Sequence, residues 1–318
     1  MPPDSSAGPV GSSSAPVDSS SAPVGSSAAA TISVLRPGQD VDAVFACTRK
    51  DRLMTRGGSP YLALELRDRT GVVPARAFQR ADALAGRFER GDLVRVRGRV
   101  ERFRDELTLE VSDIARIAAD DGIDPARFLP TAYRDIDELD GFLEHLAGEV
   151  YDRGFQGLLR RLLSDEALRA EWRRAPCSRA GHHAYLGGLL EHTVAVATLA
   201  HETCQLHPGL NSDLLICAAL VHDLGRTREF TYRAEIGLTD EGRLLGHLVI
   251  GERLLSERSA GVLDDSRLLA LLHCVLCHHG PASAPGGRFQ SAEALALYRL
   301  NAVDAGVKGA LEHGLGAD

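Results

Sequence analysis

The strongest constraint on the fold of this chain is a set of ionisable residues that lie inside, or at the ends of, apolar helical segments. The set comprises His192, His222, Asp223, His247, His278, His279 and Asp304. A buried imidazole or carboxylate without a partner destabilises a fold. The segments that carry these residues must therefore converge on a common partner, and a divalent metal ion would satisfy them all.

The types of donor atom and their spacing indicate two ions. Imidazole nitrogens combined with carboxylate oxygens suit Mn²⁺, Fe²⁺, Zn²⁺ or Mg²⁺. Adjacent residues on a helix diverge by about 100°, so His222 and Asp223 can flank two ions but cannot both point along one axis. The remaining histidines, His247, His278 and His279, could then supply a second ion. Two ions about 3.5–4 Å apart can clamp a phosphodiester and activate a water.

The composition is that of a globular protein with room for two domains: 318 residues, 44% apolar and 25% charged. No run approaches the roughly 20 apolar residues of a membrane-spanning helix, and no secretory signal is recognisable. The six cysteines have no disulfide-framework spacing and are expected to be reduced. We therefore expect a cytoplasmic protein without membrane association.

The hydrophobic pattern divides the chain into four parts. Residues 1–30 are almost wholly Ser, Ala, Pro, Gly and Val and are expected to form a disordered tail. Residues 31–118 alternate apolar and polar positions, as half-buried strands do. A linker, residues 119–134, contains Asp, Gly and two prolines. Residues 135–318 carry apolar residues at helical spacing and predict an all-α domain.

The alternating region predicts five strands and one helix. The strands are expected at residues 41–48, 61–68, 72–78, 93–100 and 106–114, with a helix-like segment at 81–88. Five strands with a helix before the fourth is the order of an OB-fold barrel, a fold that often binds single-stranded nucleic acid. The predicted fold class is therefore multidomain: a small all-β OB-fold barrel followed by an all-α helical bundle.

The charge of the barrel supports a nucleic-acid partner. Residues 31–118 contain 17 basic and 13 acidic residues, a net charge of +4 in a chain of net charge −8. Arg95, Arg97 and Arg99 alternate along the fourth strand and so share one face. The full set of candidate contacts is Arg49, Lys50, Arg52, Arg56, Tyr61, Phe78, Arg95, Arg97, Arg99, Arg102, Phe103 and Arg104. A solvated outer face without a ligand is the alternative interpretation.

Five strings in the helical half carry a family resemblance. They are HHAYLGGLLEHT (182–193), VHDLGR (221–226), LLGHLVIGERL (244–254), CHHG (277–280) and EALALYRLNAVDA (293–305). Their order and spacing resemble the YhaM-type 3′→5′ exoribonucleases, a branch of the HD superfamily of metal-dependent phosphohydrolases. The front half agrees, since GGSPYLALELRDRTGVVPARAF (57–78) is similar to the OB-fold module that precedes the HD domain in that family. The resemblance covers about residues 35–308.

The resemblance implies a Mn²⁺-dependent exonuclease that removes nucleotides from the 3′ end of single-stranded RNA, with single-stranded DNA as a second candidate. It also implies two ions and a water nucleophile. The residues that would hold the first ion are His192, His222, Asp223 and Asp304. Those of the second ion, which Asp223 bridges to the first, are His247 and His278 or His279. A homo-oligomer is compatible with the sequence.

The strings also supply the candidates for catalysis, which are Asp223, Arg226 and His183. Arg226 follows HDLG, where the family usually has lysine, and a guanidinium clamps phosphate well but is a poor proton shuttle. We therefore predict a charge-stabilising role for it. His183 could contact the substrate phosphate or hydrogen-bond at the start of a helix. The segment 280–289 departs from the family's usual Ser-Pro-containing loop. This difference bears on substrate selectivity more than on the chemistry.

Two other functional classes stay open. One is an HD hydrolase acting on nucleotides or cyclic dinucleotides with a regulatory barrel, although no G-Y-P string supports the cyclic-dinucleotide version. The other is a non-catalytic nucleic-acid-binding protein. The C-x-x-C-H string at residues 274–278 fits covalent haem attachment, but that chemistry belongs to exported proteins, so two buried cysteines are the favoured interpretation.

Overall fold

The computed structural model describes residues 31–103, 106–117 and 122–315. The predicted tail, residues 1–30, and the candidate contact Arg104 lie outside the described residues. Among the helices that the structure describes, none combines the length and apolarity needed to cross a membrane.

The N-terminal half is a closed five-stranded barrel. Its elements are β1 (Asp40–Met54), β2 (Pro60–Asp68), β3 (Gly71–Ala77), α1 (Ala81–Ala85), β4 (Leu93–Phe103) and β5 (Glu106–Arg116). The strand order is β1-β2-β3-β5-β4, and the neighbours are antiparallel except for β3 and β5. The OB-fold prediction is therefore confirmed, and most strands extend a few residues beyond the alternating segments.

Two local irregularities close the barrel. A shift in register between Cys47 and Arg49 bends β1, which pairs with β4 in its first half and with β2 in its second. On β4, a Cβ added to Gly98 would lie 2.2 Å from the carbonyl oxygen of Glu110, so only glycine permits this approach of β4 to β5. Alternate side chains along the strands fill the interior.

The C-terminal half is a helical domain with one short hairpin. Its elements are α2 (Ile136–Gly148), α3 (Arg153–Leu163), α4 (Glu166–Arg174), α5 (Gly188–Leu206), α6 (Ser212–Val221), α7 (Arg226–Glu229), β6 (Phe230–Tyr232), β7 (Ile236–Leu238), α8 (Asp240–Ser259), α9 (Asp265–Cys277) and α10 (Ala292–His313). The predicted helical bundle is confirmed. The sequence pattern does not indicate the β6–β7 hairpin, because strands of three residues are too short to show an alternating period.

Short polar side chains determine where the helices begin. Asp152, Asp165 and Asn211 each accept a hydrogen bond from a backbone N–H in the first turn of the helix that follows. Asp165 thereby starts α4 as a separate helix, although the apolar spacing alone predicts one helix over 155–172. From residue 214 to its end, α6 is buried on every side, and it is the central helix of the domain.

The barrel and the helical domain share a contact around the predicted linker. Phe128 of the linker is buried in a cluster with Ala46 and Leu93 of the barrel and Ala234, which lies between β6 and β7. Arg67 of β2 donates a hydrogen bond to the carbonyl oxygen of Ala234 over 2.6 Å. This part of the linker is therefore packed into the structure.

Truncation of Phe128 tests this contact. The substitution Phe128→Ala removes a buried aromatic side chain, for which the usual cost is about 3–5 kcal/mol. We expect a lower thermal midpoint in differential scanning calorimetry, with the barrel and the helical domain unfolding in separate transitions. The exposed Phe142→Ala is the matched control, and an unchanged thermogram for Phe128→Ala would contradict the assigned contact.

Candidate metal centre

Helices and helix ends from the whole C-terminal domain bring the predicted ligands together. The residues contributed are His192 (α5), His222 and Asp223 (after α6), His247 (α8), His278 and His279 (after α9) and Asp304 (α10). Four of them are buried, namely His192, His222, Asp223 and His278. His247 and Asp304 are partly buried, and His279 is the exposed member of the set.

The carboxylate of Asp223 lies between two groups of histidines. Its Oδ2 atom is 3.8 Å from Nε2 of His192 and 3.7 Å from Nε2 of His222. Its Oδ1 atom is 3.4 Å from Nε2 of His247 and 3.3 Å from Nε2 of His278. The two oxygens of one carboxylate therefore face two separate sets of imidazole nitrogens.

In the first set, the lone pairs of two ring nitrogens, Nε2 of His192 and Nε2 of His222, face each other. Nε2 of His192 lies 3.1 Å from Nε2 of His222. The other ring nitrogen, Nδ1, lies 2.6 Å from Asp304 in His192 and 2.8 Å from the carbonyl oxygen of Ala219 in His222. An acceptor at Nδ1 places the ring proton there, which leaves Nε2 without one. Two such lone pairs repel each other unless a cation lies between them.

In the second set, two buried atoms lack a partner. Nε2 of His278 and Oδ1 of Asp223 are shielded from solvent and have no hydrogen-bond partner among the described residues. Nδ1 of His278 donates to the carbonyl oxygen of Val275 over 2.6 Å, so its Nε2 is also a lone pair. Nε2 of His247 and Nε2 of His279 are 2.8 Å apart. An unsatisfied buried polar atom costs about 1–3 kcal/mol, and a second divalent cation would remove that cost.

The protonation states of the centre suit metal binding. Burial lowers the pKa of His222 well below its usual value, so its imidazole is neutral at neutral pH. Burial alone would raise the pKa of Asp223, but the positive charge of Arg226 opposes this effect, and that pKa lies well below the usual range. Neutral imidazole and ionised carboxylate are the forms that bind divalent cations. The residues present therefore fit two ions, one on each side of Asp223.

Arg226 and Glu229, both buried in α7, hold Asp223 and His247 in place. Nε of Arg226 donates to Oδ2 of Asp223 over 2.6 Å, and Nη1 donates to Glu229 over 3.2 Å. Oε1 of Glu229 accepts from the backbone N–H of His247 over 3.2 Å and lies 3.4 Å from Nδ1 of its ring.

The guanidinium of Arg226 faces carboxylates of the protein, and its predicted charge-stabilising role stays a prediction. Only 8% of the residue is exposed. Its enclosed guanidinium is paired with two carboxylates of the protein. Its positive charge acts on the centre through Asp223. Sequence reasoning misses Glu229. It lies three positions after Arg226, close to one helical turn away, and this spacing of opposite charges could have indicated the ion pair.

Two glycines place His247 at the centre. Gly246 has a φ of 69° and interrupts α8, which frees the backbone N–H of His247 to donate to Glu229. A Cβ added to Gly225 would lie 2.0 Å from the carbonyl oxygen of His247 and 2.6 Å from the backbone nitrogen of Gly251. The turn after α6 can therefore approach α8 this closely only with glycine at position 225.

Comparison with known proteins matches both halves of the chain. A family model described as HD domain matches residues 189–306, and a model described as OB-fold nucleic acid binding domain matches residues 46–117. The 3′-5′ exoribonuclease YhaM of Bacillus subtilis (strain 168) is 28% identical over 246 residues, which are 77% of this chain and 78% of that protein. Over both of its halves the chain is therefore similar to the YhaM-type 3′-5′ exoribonucleases.

Two more YhaM proteins extend this match. Those of Shouchella clausii (strain KSM-K16) and Listeria monocytogenes serotype 4b (strain F2365) are 28% and 25% identical, over 77% and 76% of this chain and 76% and 77% of theirs. These relatives agree with the predicted family resemblance. Among solved structures, the second OB-fold domain of replication protein A from Methanococcus maripaludis aligns with 30% of this chain and 98% of its own, with 20% identity and a TM-score of 0.24.

Asp304 lies behind His192 and not beside His222 and Asp223. Its Oδ2 atom is 2.6 Å from Nδ1 of His192 and 3.0 Å from Nε2 of His183. Asp304 therefore orients the His192 ring through the nitrogen that faces away from Asp223, an arrangement common behind metal-binding histidines. Its predicted role as a direct ligand of the first ion stays a prediction.

His183 has partners at both ring nitrogens. Nε2 is 3.0 Å from Asp304, and Nδ1 is 2.8 Å from the hydroxyl of Tyr185, which donates to Glu191 over 2.8 Å. The residue is buried and has a left-handed φ of 51°. Neither nitrogen is therefore free for the predicted phosphate contact, and the geometry favours the hydrogen-bonding alternative, in which His183 positions Asp304.

The candidate nucleic-acid contacts of the barrel separate into three groups, of which the first serves the barrel itself. Nζ of Lys50 donates to the carbonyl oxygen of Ala85 over 2.8 Å, and Arg52 forms an ion pair of 2.6 Å with Asp82, both at α1. Lys50 is thereby held at α1, whereas the ion pair of Arg52 is exposed, and the predicted contact of both residues with nucleic acid stays a prediction. Arg49 is exposed and pairs with an aspartate of its own strand.

The second group is the stripe Arg95, Arg97 and Arg99, which shares one exposed face of β4 as the alternation predicts. Asp42 of β1 pairs with Arg95 over 2.6 Å and with Arg97 over 3.0 Å. Arg99 lies 3.8 Å from Asp40. Exposed pairs of this kind contribute about 0–1 kcal/mol, so the arginines can exchange partners, but the aspartates lower the positive potential of the stripe.

The third group, here called the aromatic surface, consists of two aromatic residues, Tyr61 of β2 and Phe78 just after β3, together with the basic Arg76 of β3. The rings of Tyr61 and Phe78 are stacked with centroids 5.3 Å apart, and the guanidinium of Arg76 lies 4.3 Å from the ring centre of Phe103. Sequence reasoning misses Arg76, which is isolated from other basic residues along its strand. The exposed basic residues of the β1–β2 loop and of the end of β4 are Arg56 and Arg102. OB folds bind oligonucleotides on this face and these loops.

Substitution of Gly225 tests how the metal centre is built. In Gly225→Ala the added methyl group must displace α8, and with it His247, so we expect the affinity for Mn²⁺ to fall at least about tenfold, as it does when outer contacts of a metal site are lost. Isothermal titration calorimetry measures the affinity. Gly209→Ala, where a Cβ meets no neighbour within 4 Å, is the control. Equal affinities of Gly225→Ala and the parent protein would refute the close approach.

Proposed function

We propose that this protein is a metal-dependent 3′→5′ exoribonuclease that hydrolyses phosphodiester bonds of single-stranded RNA. The proposal rests on one observation above all, the Asp223 carboxylate between two sets of imidazole lone pairs. Two ions held on either side of one carboxylate suit the in-line displacement of a phosphodiester by water. Its YhaM-type relatives are named 3′-5′ exoribonucleases, which supports the same activity here.

The proposed ligands form one set on each side of Asp223. Those of the first ion are His192, His222 and Asp223, and those of the second are Asp223, His247, His278 and His279. Asp304, which the resemblance also gives as a ligand of the first ion, groups instead with His183 and His192. We propose Mn²⁺ for both ions from the family resemblance, with Mg²⁺, Fe²⁺ or Zn²⁺ as alternatives. When bound, the ions polarise the phosphate and lower the pKa of the attacking water.

The surrounding protein groups keep this donor set in position. Arg226 fixes one oxygen of Asp223 through Nε and offsets part of the buried negative charge. Glu229 and Asp304 lie against the Nδ1 atoms of His247 and His192, so that both Nε2 atoms point to the centre. Preorganised ligands of this kind need no rearrangement during the reaction.

The aromatic surface of the barrel is the proposed binding site for the single strand. Bases stack on aromatic rings without regard to sequence, which suits an enzyme that degrades many RNAs. Tyr61 and Phe78 supply such rings, and Arg76 adds positive charge. Single-stranded DNA offers the same bases and phosphates, and recognition of the 2′-hydroxyl would distinguish the two. The six free, buried cysteines suit the reducing cytoplasm, where we place this activity.

A nuclease assay with 5′-labelled single-stranded RNA and Mn²⁺ tests the activity. We expect a ladder of labelled products that shortens progressively from the 3′ end. Asp223→Asn removes the bridging charge while keeping the shape of the side chain, and several kcal/mol of lost charge stabilisation correspond to a rate at least about 100-fold lower.

The control for that assay is Asp240→Asn, an exposed carboxylate at the start of α8. It is expected to leave the rate unchanged. An intact RNA together with hydrolysis of nucleotides or cyclic dinucleotides would favour the alternative HD hydrolase with a regulatory barrel. Binding without any hydrolysis would favour a non-catalytic nucleic-acid-binding protein.

Substitutions on the aromatic surface test the binding site. Each lost stacking contact costs about 1–3 kcal/mol, so Tyr61→Ala and Phe78→Ala are expected to weaken RNA binding about 5-fold to 150-fold. Fluorescence anisotropy with a labelled single strand, measured without metal, reports binding apart from cleavage. The fully exposed Tyr133→Ala is the control. Unchanged affinity in both barrel variants would place the RNA on another face, such as the Arg95 stripe.

A further inference from the structure

A sulfur donor lies against the metal centre. Cys177, in the segment between α4 and α5, is fully buried, and its Sγ atom lies 3.7 Å from Nε2 of His182. The same Sγ atom lies 3.6 Å from Oδ2 of Asp223. Cys177, His182 and His192 each place one donor atom within 4.8 Å of the other two. Neither Cys177 nor His182 has a part in the proposed function.

Hydrogen bonds within this segment keep the two side chains together. The backbone N–H of Cys177 donates to the carbonyl oxygen of His183 over 3.1 Å. Oγ of Ser178 donates to the carbonyl oxygen of His182 over 2.7 Å and accepts from the backbone N–H of Gly181 over 3.0 Å. The chain is thereby folded back on itself, and the thiol and the imidazole face each other within this backbone arrangement.

The spacing of the donors fits a thiophilic cation. With Zn²⁺ bonded to sulfur at about 2.3 Å and to nitrogen at about 2.0–2.1 Å, a tetrahedral site separates sulfur from nitrogen by about 3.5 Å. The 3.7 Å between Cys177 and His182 is close to this separation. Thiolate ligands favour Zn²⁺ over Mn²⁺ and Mg²⁺. We propose that Cys177, His182 and His192 form a third cation site for a thiophilic divalent ion such as Zn²⁺, whose binding releases the thiol proton to solvent.

An ion in this third site competes with the activating ions for His192. Nε2 of His192 faces the first ion position beside His222, and Nδ1 faces Asp304. An ion bound to Cys177 and His182 takes His192 from one of these partners. Zn²⁺ in the third site therefore weakens binding of the activating metal and inhibits the enzyme. This inhibition rests on the proposed function, whereas the third site does not.

Co²⁺, which takes the place of Zn²⁺ and absorbs light, tests the third site directly. A thiolate bonded to Co²⁺ gives a charge-transfer band in the near ultraviolet, and we expect that band when the full-length protein is titrated with Co²⁺. Cys177→Ala is expected to abolish it, and His182→Ala to raise the Co²⁺ concentration needed about tenfold or more. Cys204→Ala, a buried cysteine at the far end of α5, is the control and keeps the band. A parent protein without the band, or a band that survives Cys177→Ala, would overturn the proposal.

Competition between Zn²⁺ and Mn²⁺ tests the inhibitory consequence. Electron paramagnetic resonance of free Mn²⁺ reports how much Zn²⁺ is needed to release bound Mn²⁺. We expect Cys177→Ala to bind Mn²⁺ as the parent does, which also shows that it is folded, and to need at least about tenfold more Zn²⁺ for release. Equal Zn²⁺ requirements would overturn the competition. A parent protein that binds no Mn²⁺ would contradict the proposed activating metal, and the Co²⁺ band would still decide the third site.

Discussion

The carboxylate of Asp223 is held among imidazole nitrogens in the interior of the helical domain, and the surrounding elements are arranged to keep it there. From residue 214 onward α6 is apolar on all sides, so its burial brings the residues that follow it, His222 and Asp223, into the core. A lone carboxylate at that depth would destabilise the fold by several kcal/mol. Arg226 offsets part of this cost. The facing imidazole lone pairs and the unpartnered buried atoms are positioned to bind cations, which would offset the rest.

The same requirement accounts for local features that otherwise have no structural benefit. Gly225 allows the turn after α6 to touch α8, and the kink at Gly246 directs the backbone of His247 toward Glu229. Both features shape the centre at the expense of regular helix geometry. Local irregularity of this kind is typical of functional sites, where surrounding packing holds it in place.

The sequence predicts those parts of the structure that depend on periodicity and on residue type. Alternation locates the five barrel strands, and polar residues inside apolar helices identify the histidines around Asp223. Ring orientation is not encoded in such patterns, so the position of Asp304 behind Nδ1 of His192 could not be foreseen. The partners of Arg226 and Lys50 likewise depend on how α7 and α1 pack, which spacing along the chain does not reveal.

The two halves of the molecule divide the proposed task by chemistry. Stacked aromatic rings on the barrel suit bases, which differ in sequence but all have flat faces. The helical domain offers donors for cations, which recognise the phosphate common to every nucleotide. From this division we expect the protein to bind single-stranded nucleic acid without a preference for its base sequence.

Anomalous diffraction from crystals of the protein grown with Mn²⁺ locates bound ions and so tests the two-ion centre. We expect two anomalous peaks about 3.5–4 Å apart, one on the side of Oδ2 of Asp223 beside His192 and His222, and one on the side of Oδ1 beside His247 and His278. A single peak, or two peaks that do not share Asp223, would contradict it.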